Sequence, residues 1–233
     1  QFLSTADNHG VTVAHVAAER GDVAMLKYLS KVAGVELLRK AWPDGMNIAH
    51  LAALTGSMAT LRFIAEHPDL GPQFLFVAGR GGITVAHRAA HRGDVAMLES
   101  VGKLAGSDVL RKSGFAGMNI AHVAAMEGSI EVLRFVAEHA GLGPQFLSEG
   151  DVSGKTVAHY AAFRGDVEML QFLGKTAGIS LLRKTYSNNG ITIAHSAAMV
   201  GSTDVLDFIV THPGLGPEFI RRRLNNGDTV ALQ

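Results

Sequence analysis

Gly82-Ile83-Thr84-Val85-Ala86-His87-Arg88-Ala89-Ala90-His91-Arg92-Gly93-Asp94 is the stretch whose reading decides the fold. Its opening, Gly-x-Thr-Val-Ala-His, occurs again along the chain with little change. Related segments start at Gly10, Gly45, Gly117, Gly154, Gly190 and Gly227, so the glycines are spaced by 35, 37, 35, 37, 36 and 37 residues. Self-similarity at such a period marks a stack of supersecondary units, each of which buries its apolar face on its neighbours.

The residue types within one unit specify its local structure. The alanine pairs Ala17-Ala18, Ala52-Ala53, Ala89-Ala90, Ala124-Ala125, Ala161-Ala162 and Ala197-Ala198 follow the motif His. They favour helix and let a neighbouring helix approach closely. Gly21, Gly56, Gly93, Gly128, Gly165 and Gly201 then end that helix where a positive φ is needed. Asp22, Ser57, Asp94, Ser129, Asp166 and Ser202 follow at once as N-caps of a second helix. In the first unit that helix reads as amphipathic, with Met25, Tyr28, Leu29 and Val32 at i, i+3, i+4 and i+7 expected to pack. Leu61, Phe63 and Ile64, and Leu133, Phe135 and Val136, repeat the stripe. Each unit is therefore helix, tight turn, helix, then a loop returning to the next glycine.

This pattern resembles the ankyrin repeat, whose signature is Thr-Pro-Leu-His-x-Ala-Ala-x-x-Gly. The resemblance runs through the whole chain, with Val or Ile in place of Pro and Ala in place of Leu. Asn47 and Asn119 replace Thr. It implies an all-α solenoid of stacked units, one array over 1–233 with a partial repeat from residue 227. It also implies a protein-binding scaffold that works through its groove and its loop tips. By the same resemblance, His15, His50, His87, His122, His159 and His195 are structural, bonding backbone and Thr groups between adjacent loops. The Ile-Ala-His and Glu-His-Pro wording is further similar to ankyrin effectors that intracellular bacteria deliver into host cells.

A second order overlies the first. Odd repeats carry Asp-Val-x-Met-Leu and basic tails at Arg39-Lys40, Arg111-Lys112 and Arg183-Lys184. Even repeats carry Gly71-Pro-Gln-Phe-Leu75, Gly143-Pro-Gln-Phe-Leu147 and Gly216-Pro-Glu-Phe-Ile220 instead, and Gln1-Phe2-Leu3 matches the end of that segment. The unit of about 72 residues, two of those repeat spacings, makes a structural array or filament built by self-contact the rival reading. Gln1 falls inside such a tail and Gln233 inside a seventh motif, so the expectation is a window on a longer array.

Composition narrows the function. Lys+Arg and Asp+Glu are 21 each, so no overall field draws nucleic acid or an anionic membrane. No apolar run approaches the ~18 residues of a membrane span. The absence of cysteine removes thiolate chemistry. No catalytic constellation stands outside the repeat pattern, and neither catalysis, cofactor nor metal is expected. His87 and His91 have a ligand-like spacing but no third ligand is apparent. Glu149 stands where the first glycine of a phosphate loop would be, ahead of Gly154-Lys155-Thr156. Arg20-Gly-Asp22, Arg92-Gly-Asp94 and Arg164-Gly-Asp166 spell an adhesion tripeptide whose Gly and Asp are already explained as turn and cap. Arg221-Arg222-Arg223 reads as a solvated basic run or a contact to an acidic partner.

Two sets of positions are left for binding. In the groove, Arg20, Arg92 and Arg164 interleave with Leu54, Met126 and Met199, which suits a partner segment that is acidic and partly apolar. At the loop tips, Trp42, Phe115 and Tyr186 either anchor a partner or fold down over the next repeat.

Overall fold

The structure, a computed structural model, describes residues 5–225. The partial repeat from residue 227 and the Gln1-Phe2-Leu3 segment lie outside them. The chain divides into two compact units, Gln1–Phe115 and Ala116–Gln233, with repeats one to three in the first and four to six in the second. The fold is all-α. The first helices are Val13–Glu19, Ile48–Thr55 and Val85–His91 in the first unit, then Ile120–Glu127, Val157–Arg164 and Ile193–Met199 in the second. The second helices are Val23–Ala33, Met58–Glu66, Val95–Ala105, Ile130–Glu138, Val167–Thr176 and Thr203–Thr211.

Each first helix opens on a reciprocal cap. Thr12, Asn47, Thr84, Asn119, Thr156 and Thr192 are extended N-caps, and the motif His at the third helical position reaches back to the N-cap backbone. Asn caps more fully than Thr: Asn47 Oδ1 accepts from both Ala49 N–H (3.0 Å) and His50 N–H (3.2 Å). The helix ends at glycines in the left-handed region, such as Gly56 (φ 82°) and Gly128 (φ 84°). Asp22, Ser57, Asp94, Ser129 and Asp166 cap the second helices by accepting the backbone N–H three residues on. Ser202 makes no side-chain cap bond, a departure from the expected pattern.

Within each unit the first helices pack side by side, and the alanine pairs are where they meet. The helix 48–55 lies between 13–19 and 85–91, and the helix 157–164 lies between 120–127 and 193–199. The alanines facing these contacts are almost all fully buried, which permits the close approach of two helix backbones.

Two expectations are corrected. The stripe Met25, Tyr28, Leu29 and Val32 does not all pack: Leu26 and Leu29 are buried, whereas Met25, Tyr28 and Val32 are exposed. In the third repeat the equivalent Met97 is fully buried, because the second helix of repeat two lies against that helix. Among the described residues no repeat stands in that place beside Val23–Ala33. The return segment, expected as loop, instead contains a short helical turn. Gly71 (φ 68°) and Gly143 (φ 79°) lead into 3-10 turns, Pro72–Phe76 and Pro144–Ser148, with Pro at the start where its missing N–H is harmless. These turns bury Phe74, Leu75, Phe146 and Leu147. The odd repeats do the same with Val35–Arg39 and Ile179–Leu182, which bury Leu37, Leu38, Leu181 and Leu182.

Candidate partner-binding surface

The motif histidines are buried, and His15, His50 and His122 bond across to backbone carbonyls at the junction with the next repeat. Thr12 offers both its N–H (3.0 Å) and its hydroxyl (3.0 Å) to His15 Nδ1. A backbone N–H can only donate, so Nδ1 accepts and the ring proton sits on Nε2. From there it is donated to the Lys40 carbonyl at 3.0 Å, in the segment that leads to the following repeat. His50 Nε2 reaches the Ile83 carbonyl at 2.8 Å, and His122 Nε2 lies 3.1 Å from the carbonyls of both Glu149 and Lys155. Burial pushes the imidazoles of His15, His50, His122 and His195 below their ordinary value. It takes His159 down to about 4, opposed by the carbonyls of Lys184 and Ile191. These rings are neutral struts. Among the described residues no group of three or more His, Cys, Asp or Glu is placed to hold a metal ion, and no helix is long and apolar enough to cross a membrane.

The three tip aromatics behave differently from one another. Trp42 packs on His15, ring centroids 5.8 Å apart, and Tyr186 meets His159 edge-on at 4.8 Å. Both therefore fold down onto the motif His 27 residues earlier in their own repeat, and both are half-buried. Phe115 does not. The backbone of Gly114 fills the place over His87, and Phe115 beside it rests on Gly81 with 64% of its surface exposed.

The arginines of the groove have structural duties as well. Arg92 Nη1 donates to the Leu54 carbonyl at 2.8 Å, and Arg164 Nη1 to the Met126 carbonyl at 2.9 Å. In each case the guanidinium covers the glycine that ends the first helix of the preceding repeat, Gly56 or Gly128. Arg20 is exposed. Of the apolar groove positions, Leu54 is half-buried, while Met126 and Met199 are 40% and 53% exposed. Arg221 pairs with Glu218 at 2.9 Å and Arg222 lies over Phe219, which is the solvated reading of the basic run.

In the second unit the groove forms a continuous row. Met126, Phe163 and Met199 each stand four residues beyond a motif His, on three first helices packed in succession. All three are exposed. The same register in the first unit reads Glu19, Leu54 and His91, which is not an apolar row. Phe163 is not among the groove residues the sequence singles out, because it stands out only when successive helices are compared down this register.

Another feature the sequence did not disclose lies on the second-helix layer. Lys27, Arg62, Phe63 and Glu66 line an open groove of about 610 Å³ in the first unit. Arg134, Glu168, Phe172 and Lys175 line one of about 540 Å³ in the second. The side chains that form these grooves come from helices far apart in sequence, so no local pattern reveals them.

Comparison with known proteins bears on the fold. A family description of ankyrin repeats, in three copies, matches residues 86–185. Among solved structures the chain is similar to the ankyrin repeat domain of Bcl-3, described as a unique member of the IkappaB protein family. That likeness has a TM-score of 0.67 at 19% identity and covers 96% of this chain and 93% of that one. At that identity it is a likeness of fold. No match was found among the curated proteins.

Proposed function

We propose that this chain, which has the ankyrin-repeat fold, binds another protein through the exposed ends of its first helices and the adjoining loop tips. Ankyrin repeats generally serve as protein–protein interaction modules, and the fold alone does not choose a surface. One observation carries the choice made here: the row Met126, Phe163 and Met199 is exposed at a fixed register of three successive helices. An isolated apolar side chain at a surface is ordinary, but a contiguous row rimmed by polar groups marks an interaction site. Arg164 lies next to the row and supplies a cation, so a partner segment with acidic and apolar residues fits. Phe115 extends the set of anchors in the first unit.

The test is affinity capture read by quantitative mass spectrometry with three proteins: the natural chain, Met126→Asp/Met199→Asp, and Arg134→Asp on the second-helix layer as control. Proteins held by the natural chain and the control but lost from the double variant support the reading. Equal retention by all three would sink it. Recovery of the chain itself, in stoichiometric amount, would favour assembly through self-contacts.

A further inference from the structure

The position after the repeat glycine is apolar in five repeats, as Val11, Met46, Ile83, Met118 and Ile191, and is Lys155 in the fifth. This is a break in a lattice that otherwise repeats closely, and it coincides with an aromatic residue at a variable position nearby. Tyr160 stands where other repeats have Val16, Leu51, Arg88, Val123 and Ser196. The Lys155 ammonium lies 5.0 Å from the ring centre of Tyr160, 4.9 Å from that of Tyr186 and 5.8 Å from that of Phe163. Each is a cation–π distance. Lys155 itself is half-buried, so three rings hold a partly dehydrated cation in place.

Its charge is not answered by an acid. Among the described residues Lys155 joins no ion pair of the kind made by Arg39–Glu36, Lys103–Glu99 and Arg221–Glu218. Asp151, on the same tip, is fully engaged elsewhere. Its Oδ1 accepts from Ser153 N–H (2.8 Å), Ser153 Oγ–H (2.6 Å) and Lys155 N–H (3.0 Å), and its Oδ2 accepts from the Tyr160 hydroxyl (2.9 Å). Ring faces attract the positive charge but offer no localised lone pair to its N–H groups. A partly buried ammonium with no anion is costly on its own, and an arriving carboxylate would supply both the charge and the acceptors. The surroundings favour a carboxylate carried on an apolar segment, because Phe163 is 49% exposed and continues into the Met126–Met199 row.

We infer that Lys155, held by Tyr160, Phe163 and Tyr186, is the anchor for a side-chain carboxylate of an acidic, partly apolar segment of the partner protein. This rests on the reading of that face as the binding surface. It sharpens that reading by placing the cation at Lys155 and not mainly at the carbonyl-bound arginines. Preorganisation by the rings gives the contact its strength, since little side-chain freedom remains to be lost on binding.

The probe is a set of blocked peptides, identical Leu-rich sequences whose central residue is Glu, Gln or phosphoserine, with inorganic phosphate as a separate probe. Binding is followed by nuclear magnetic resonance at the Lys155 side-chain carbons, the Tyr160 and Tyr186 rings, and the Met126 and Met199 methyl groups. The Glu peptide should give saturable shifts at Lys155 and both rings, with the Gln peptide at least tenfold weaker. Lys155→Met should abolish the preference for Glu, and Lys155→Arg should retain it. Equal binding of Glu and Gln peptides, or methyl shifts with Lys155 silent, would overturn the anchor while leaving the binding face intact. Saturation by inorganic phosphate or phosphoserine in preference to Glu would also overturn it. No shift at the methyl groups with any peptide would defeat the binding face itself.

Discussion

Arg164 donates to the carbonyl of Met126 at 2.9 Å, so the last turn of one repeat's first helix is completed by the next repeat. Arg92 does the same for Leu54 at 2.8 Å. Helix C-termini leave carbonyls without intrahelical partners and carry partial negative charge, which a guanidinium answers on both counts. The alternation of odd and even repeats thereby acquires a physical reason. An even repeat followed by an odd one is joined by Arg over Gly56 or Gly128. An odd repeat followed by an even one has Ser57 beside Gly21, or Ser202 beside Gly165.

Arg92→Ala and Arg164→Ala should each lower stability by about 1 kcal/mol, the scale of one exposed charge-assisted hydrogen bond. Arg20→Ala should stay within roughly 0.5 kcal/mol, as an exposed surface change does. Urea denaturation with unchanged m-values checks the comparison. Equal effects at all three positions would show that the carbonyl contacts contribute nothing.

Glycine substitutions separate backbone strain from steric conflict. Gly165 (φ 75°, ψ 20°) and Gly128 (φ 84°, ψ 20°) share the left-handed conformation, but a Cβ at Gly165 meets only the small Ser202 side chain, 3.0 Å from its Oγ, while one at Gly128 collides with the Arg164 guanidinium. Gly165→Ala should therefore cost about 1 kcal/mol, chiefly for the positive φ. Gly128→Ala should cost more, since it also displaces the arginine. Adding Arg164→Ala to Gly128→Ala should then cost less than Arg164→Ala does alone, a coupling that a double-mutant cycle reads directly.

Acid should weaken the fold over a defined window. His159 is held down to about 4 in the folded chain, against an ordinary value of 6.5, by burial first. Where the unfolded chain binds the proton and the folded chain does not, stability falls as pH falls. The loss therefore begins near pH 6.5, continues to about pH 4, and reaches about 3 kcal/mol for this one group if the depression is fully realised. His15, His50, His122 and His195 shift in the same direction and add to it. Trp42, the one tryptophan of the chain, sits on His15, so its emission reports protonation in the first repeat. Its acid quenching should have a midpoint below 6.5. Stability that is flat between pH 7 and pH 4.5 would contradict the neutral-strut account.

Much of the fold was legible because its determinants are local. Thr or Asn before the motif His, the alanine pair, the glycine and the Asp or Ser cap all act within about ten residues of each other, and five of the six second-helix caps form as read. Packing between repeats was less legible. Met25 and Met97 hold the same position in their repeats, yet one is 43% exposed and the other buried, because only a neighbouring repeat decides it. The tip aromatics show the same limit: Trp42 and Tyr186 turn back onto a histidine some 27 residues earlier, while Phe115 stays out. In the sequence Lys155 stands out only within a segment that falls short of a phosphate loop. Of its three aromatic neighbours, Tyr160 and Phe163 come from the following helix and Tyr186 from the next tip, so they converge only when the chain is folded.

Charge, capping and apolar contact make separable contributions at the groove, and substitution can part them. Replacing Arg20, Arg92 and Arg164 together by Lys keeps three cations but removes the planar fork that suits a carbonyl at a fixed angle. The fold should lose about 1–2 kcal/mol from the two carbonyl contacts, while affinity for an acidic partner changes less than threefold. Met126→Ser with Met199→Ser should do the reverse. Both side chains are exposed in the free protein, so their loss leaves no cavity and stability should move by less than about 0.5 kcal/mol. Their burial under a partner is the source of binding energy, and at roughly 1–2 kcal/mol each their joint loss should weaken binding at least tenfold. Calorimetric titration and urea denaturation on the same samples decide the matter. Should the lysine variant lose binding while the serine variant keeps it, recognition would rest on the guanidinium forks and the apolar row would be incidental to it.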